Sequence, residues 1–150
     1  MTKKKSKEKN FVTLIRKPGL YIKDTRSEKG RGVFCKTAIK KGEILEITPS
    51  ILLNESETVQ VDKTRLVNYT FVMDGISSKL KKKNSIKKPD MASSVVMGVL
   101  TFCNHGNTNN ATVLLDEKDG TLYYILKAVA NIPPHTEICT TYGDGWFDER

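Results

Sequence analysis

Proline and glycine breaks divide much of the chain into short runs. Breaks fall at Pro18-Gly19, Gly30, Gly32, Gly42, Pro49, Pro89, Asp119-Gly120 and Pro133-Pro134. Proline cannot continue a helix, and glycine supplies the positive φ that tight turns need. Between the breaks lie short β-prone runs: Phe11 to Ile15, Leu20 to Ile22, Val33 to Cys35, Ile51 to Leu53, Tyr69 to Met73, Thr112 to Leu115, Leu122 to Lys127 and Glu137 to Tyr142. Glu43 to Thr48 alternates polar and apolar like a half-buried strand, and Pro49 is expected to close it. Asp119-Gly120 between two such runs predicts a hairpin. Residues 55–68 have room for one or two helical turns. Ala92 to Cys103, the most apolar stretch, reads as a buried helix, a buried strand, or one leading into the other. Many short strands with little helix predict a mainly-β domain.

Length sets the rest of the architecture. A chain of 150 residues buries one core. We therefore expect a single domain over residues 11–150, preceded by a disordered basic arm at 1–10. No apolar run approaches the length of a membrane span, and no apolar signal core follows the first lysines, so an intracellular protein is expected. The net charge of +8 suits an acidic partner. Much of it lies in two runs: Lys3, Lys4, Lys5, Lys7 and Lys9, then Lys79, Lys81, Lys82, Lys83, Lys87 and Lys88. Residues 79–90 read as a Lys-rich surface loop. Each run is either plain solvated surface or an electrostatic docking surface, with weak nonspecific nucleic-acid contact as one use.

The three cysteines, Cys35, Cys103 and Cys139, form no Cys-x-x-Cys pair. An odd, scattered set among β-forming neighbours reads as buried small hydrophobes in a reducing compartment. With His105 and His135 they do not make a zinc ligand pattern, so no metal is expected.

Three features exceed what packing needs. Gly30-Arg31-Gly32-Val33-Phe34 places two glycines at the entry to a strand, where another molecule could approach the backbone. It is not a dinucleotide fingerprint, since no third glycine and no helix follow. Phe102-Cys103-Asn104-His105-Gly106 ends an apolar run in amide and imidazole groups, with Asn110-Ala111 close behind. An Asn-rich turn accounts for Asn107 and Asn109, and less well for Asn104-His105. Last, Glu137 to Asp144 ends a strand at Tyr142-Gly143, followed by Trp146-Phe147.

In this order the features resemble the SET domain, the fold of protein lysine methyltransferases. Ile39 to Glu46 and Ile132-Pro133-Pro134 belong to the same resemblance, which spans about residues 11 to 147. In size the chain is most similar to the minimal stand-alone SET proteins of viruses and bacteria. The resemblance implies small curved β-sheets of the β-clip kind. It also implies a C-terminal pseudoknot, in which the last strand passes under the Asn104-His105 loop and brings Tyr142 beside Asn104. The implied reaction moves a methyl group from S-adenosylmethionine to a lysine ε-amine of a basic protein, such as a histone tail. The alternative is a non-catalytic SET-like module that binds chromatin or nucleic acid. The nucleus is then a possible address, a host nucleus if the source is viral or bacterial.

By the same resemblance, the backbone at Gly30, Arg31 and Gly32 lines the cofactor. Asn104 binds its methionine end and His105 presents backbone to the adenine. Tyr142 is the catalytic tyrosine, Tyr69 lines the lysine channel, and Trp146 covers the cofactor or the channel. A homodimer partner, or Trp146-Phe147 folding back, is expected to complete that channel. Five positions depart from the family pattern. Gly106-Asn107 replaces Ser-Cys and Asn109 replaces a proline, which predicts a looser loop; His135 stands where a glycine usually turns the chain; Thr141 replaces an acidic residue.

Overall fold

The computed structural model describes residues 11–73, 75–106 and 108–141. Ten short strands run through them: β1 (Ile15–Arg16), β2 (Leu20–Asp24), β3 (Arg31–Cys35), β4 (Ile44–Leu53), β5 (Thr70–Phe71), β6 (Ser93–Val96), β7 (Ala111–Lys118), β8 (Thr121–Ala128), β9 (Glu137–Ile138) and β10 (Thr140–Thr141). Two short helices, α1 (Glu55–Val61) and α2 (Ser78–Lys83), join them, with 3-10 turns at Arg65–Asn68, Pro89–Met91 and Val99–Phe102. The mainly-β expectation is what is found.

The described residues divide into two compact units. The first holds Pro49–Met97 and Asp116–Tyr123; the second holds Leu14–Thr48, Gly98–Leu115 and the described residues from Tyr124 on.

In the first unit, β6 pairs antiparallel with the second half of β4, Ser50 opposite Val96 and Leu53 opposite Ser93, and with β5 on its other side. The two-residue turn Asp119-Gly120 has φ of 50° and 77°. Positive φ at both positions is the turn whose twist matches a hairpin, as the sequence predicts. α1 begins with a full capping box: Asn54 accepts from the Glu57 amide, and the Glu57 side chain accepts from the Asn54 amide. The Lys-rich segment expected as a loop contains α2. Ser77 caps it by accepting from the Leu80 amide, and Leu80 and Ile86 are buried. Its lysines are good helix formers, and two apolar anchors suffice to fix one short helix.

In the second unit, β3 is the centre of a three-stranded antiparallel sheet with β2 and β9. Val33, Phe34 and Cys35 are all buried, as befits a central strand. β8, which begins in the first unit, alternates strictly, and here Tyr124, Leu126 and Ala128 are buried. All three cysteines are free and buried.

Several strand limits differ from expectation, among them Tyr69 to Met73, which shortens to β5, and Glu137 to Tyr142, which divides at Cys139. β4 runs through Pro49 instead of stopping there. Glu46 and Ile47 pair with β1, and Ser50 onward pairs with β6, so Pro49 falls where neighbours change and its missing N–H is tolerated. The run from Phe11 gives only the two residues of β1, with Phe11 and Leu14 exposed, because only Ile15 and Arg16 find a partner strand there.

Candidate functional site: a clasped loop around Asn104

The second unit gathers Arg31, Gly32, Asn104 and Glu137 from three distant stretches of sequence. Asn104 is the hub. Its Nδ2 donates to the Arg31 carbonyl at 2.9 Å and to Glu137 Oε2 at 2.8 Å. Both neighbours are acceptors, so the amide orientation is dictated and Oδ1 must face away from them. The Arg31 guanidinium lies over the Phe102 ring, 4.8 Å from its centroid.

The two glycines of the Gly-Arg-Gly motif serve different ends. Gly30 has φ +74° and open space where a Cβ would stand. It is needed for its conformation: its carbonyl closes a turn by accepting from the Thr25 amide at 2.8 Å. Gly32 is needed for its size. A Cβ there would stand 2.5 Å from Glu137 Oε2. The glycine thus makes room for the carboxylate that orients Asn104.

The approach to Asn104 is fixed from below by Glu46. This carboxylate is 1% exposed and accepts from the amides of Val99 at 3.0 Å and Leu100 at 2.9 Å. Arg16 Nε pairs with it at 3.1 Å. It therefore caps the 3-10 turn Val99–Phe102, from which Cys103, Asn104 and His105 emerge. Burial and the nearby Glu46 carboxylate push the Cys103 thiol far above its usual range, so it stays neutral.

The C-terminal strand is clasped by both ends of the loop. Thr140 N donates to Asn104 O at 2.9 Å, and Asn104 bridges Cys139 in parallel. On the other side Asn110 and Ala111 amides both donate to Cys139 O, and β10 pairs in parallel with β7. The Asn110 side chain adds two bonds, donating to Glu137 O and accepting from Cys139 N, each 2.9 Å. His105 Nδ1 lies 3.0 Å from Thr140 O; since a carbonyl only accepts, that nitrogen carries the proton. The pairing of one strand with both ends of the loop agrees with the pseudoknot the resemblance implies, and the implied place of Tyr142 beside Asn104 lies outside the described residues. The described part of the loop carries one bond in place of what the proline would supply. Asn109, in place of the proline, accepts the Gly106 amide at 2.9 Å and closes the turn itself.

His135 stands at φ +60°, the left-handed region that a glycine would take freely. It is held there by its amide donating to Cys35 O at 2.7 Å and by Nδ1 meeting the Tyr21 hydroxyl at 2.7 Å.

Among the expected site residues, the structure brings Arg31, Gly32 and Asn104 together, with Gly30 at the preceding turn and His105 beside Asn104. Tyr69 belongs to the first unit, half-buried, where its amide closes the Arg65–Asn68 turn on Leu66. Tyr142 and Trp146 lie outside the described residues. Sequence reasoning missed Glu137 and Glu46 as functional supports. Glu46 gave no signal: in the run Glu43 to Thr48 it falls among the polar positions expected to face solvent.

With this geometry in hand, comparison with known proteins is specific. The SET domain family matches residues 30–143. The chain belongs to that family. A histone-lysine N-methyltransferase of Schizosaccharomyces pombe, specific for H3 lysine 37, is 28% identical over 142 residues, covering 93% of this chain and 83% of the relative. The solved structure of a candidate histone methyltransferase from Plasmodium falciparum shares 27% identity and a TM-score of 0.62, over 87% of this chain and 98% of that one. The Neurospora SET domain protein DIM-5, a histone lysine methyltransferase, has a TM-score of 0.59 at 20% identity, over 83% of this chain and 52% of its own, and attests the fold. Protein lysine methylation is the function these matches support.

Proposed function

We propose that this chain transfers a methyl group from S-adenosylmethionine to a lysine ε-amine of a histone, and that it acts in the nucleus. The observation that carries the reading is the locked amide of Asn104. Both of its N–H groups are spent on Arg31 and Glu137, which leaves Oδ1 as a directed acceptor. The groups gathered there are an amide oxygen, a carboxylate and a backbone carbonyl. Such an acceptor-rich set fits a ligand bearing an ammonium and a sulfonium, and fits a phosphate-bearing ligand poorly.

When bound, the cofactor supplies an electrophilic methyl on a cationic sulfur. Asn104 Oδ1 would accept from its ammonium, with Glu137 keeping that oxygen aimed. The backbone at Gly30, Arg31, Gly32 and His105 lines the rest of the cofactor. The substrate amine must be neutral to attack, whereas a free lysine has a pKa of ~10.4. Removing the amine from water would disfavour the ammonium, a task the family resemblance gives to aromatic residues. The Tyr142 hydroxyl orients the amine, and holding the reactants in line supplies several kcal/mol of the barrier reduction.

The test is transfer of labelled methyl to core histones and to nucleosomes. Wild-type protein labels a histone lysine. Tyr142→Phe loses about 10² to 10³ in rate while still binding cofactor. Cofactor binding without label on any histone or nuclear protein would overturn the reading.

A further inference from the structure

The lysines of the first unit raise a question that methylation does not answer. Residues 79–88 hold six lysines, no arginine and no aromatic residue. Their backbone is anchored without using the charges. Ser77 caps α2, Leu80 and Ile86 are buried, and the Asn84 side chain donates to Leu80 O at 2.9 Å. Glu55, the first residue of α1, accepts the amides of both Lys87 and Lys88. Those amides hold its carboxyl below the usual range, so the clamp is ionised at neutral pH.

The ammonium groups are left outward. Lys79, Lys82, Lys83, Lys87 and Lys88 are exposed, and Lys81 is half-buried. Lys79, Lys82 and Lys83 follow the spacing that puts side chains on one helix face. Lys83 Nζ donates to Gly120 O at 3.4 Å. Among the described residues the ion pairs are Arg16–Glu46 and Lys17–Glu43, and neither involves this segment. Among the described residues, Glu55 is the acid that feels this charge, through Lys87, and six lysines are held in order beside it.

The composition selects the partner. A carboxylate-rich protein surface is best gripped by the bidentate fork of arginine, which is absent here. Single-stranded nucleic acid calls for aromatic stacking platforms, also absent. Compact point charges on an ordered backbone suit the phosphates of a duplex. We propose that the Lys79–Lys88 face is a docking surface for duplex nucleic acid that grips phosphates without reading sequence. This inference stands independently of the methyl-transfer reading.

The experiment uses the full chain and a short labelled DNA duplex, followed by fluorescence anisotropy over a salt series. Each lysine that contacts a phosphate contributes about 0.9 to the slope of log affinity against log salt. The triple variant Lys79→Gln, Lys82→Gln, Lys88→Gln is expected to flatten the slope by about 2 to 3 and melt like wild type, because the clamp and the anchors remain. A matched variant, Lys36→Gln, Lys40→Gln, Lys41→Gln, removes the same charge from exposed positions of the second unit and is expected to leave the slope unchanged. Equal losses in both variants would mean that only net charge matters and would overturn the proposal. So would a single strand or polyglutamate binding more tightly than the duplex.

Discussion

The two units handle their charged groups in opposite ways. In the second, acids and amides are turned inward and spent on one another: Glu46 on the Val99–Phe102 turn, Glu137 on Asn104, Asn110 on the C-terminal strand. In the first, the acid Glu55 is spent on backbone amides and the lysines beside it keep their heads outward. Inward polar groups fix the geometry of a site. Outward ones, on an equally ordered backbone, are available to another molecule. A substitution in the second unit should therefore act on stability and ligand geometry together, whereas one in the lysine segment should act on association alone.

The largest expected effect is at Glu46. Glu46→Ala leaves the half-buried Val99 amide, the buried Leu100 amide and Arg16 without their partner and should cost about 3 to 5 kcal/mol. A urea midpoint shifted with unchanged slope would register it; a cost below 1 kcal/mol would mean that the inward carboxylate is dispensable.

Next is Gly32→Ala. The added Cβ meets the Glu137 carboxylate, so either must move, at about 1 to 3 kcal/mol. Since Glu137 holds Asn104, affinity for an S-adenosylmethionine analogue should fall at least tenfold by calorimetry. Gly30→Ala sharpens the point: it strains the backbone at positive φ but meets no side chain, so it should cost stability and less affinity.

A smaller effect belongs to the half-exposed pair of Lys17 and Glu43. The Lys17 hydrogen bond lowers the Glu43 carboxyl below its ordinary value. A depressed folded-state value stabilises above the unfolded value of ~4.3 and is lost as pH falls through the folded one. Solvent screening limits this to about 1 kcal/mol or less. Glu43→Gln should flatten the acid limb of stability below about pH 4.5 and leave pH 7 stability within that margin. The smallest is His135→Gly. Relief of left-handed strain offsets the lost Tyr21 bond, so melting should change by the equivalent of about 1 kcal/mol or less.

How much the sequence revealed tracks how local the cause is. The Asp119-Gly120 hairpin is written in two adjacent residues, and the structure has it. The Gly30 turn and the placement of Asn104 at the end of an apolar run were legible for the same reason. The pseudoknot came from resemblance, because no local pattern tells Cys139 that it will lie between Asn104 and Ala111. Glu137 has no role that its own neighbours in sequence reveal, since its function depends on space vacated at Gly32, more than a hundred residues earlier. The helix α2 was hidden by its lysines: Leu80 and Ile86 are the only two apolar anchors between Ser77 and Asp90. Pro49 misled because a proline ends a strand only if its N–H would be needed there.

The most direct measurement is a thermal melt with and without S-adenosylhomocysteine, on wild type and Asn104→Ala. At ligand about 100 times its Kd, binding adds about 2.7 kcal/mol, or roughly 5 to 10 °C for a domain of this size. The account predicts that shift for wild type and its loss in Asn104→Ala, with both proteins melting cooperatively. A shift of the same size in the variant, or none in wild type, would contradict the assignment of Asn104 as the cofactor's anchor.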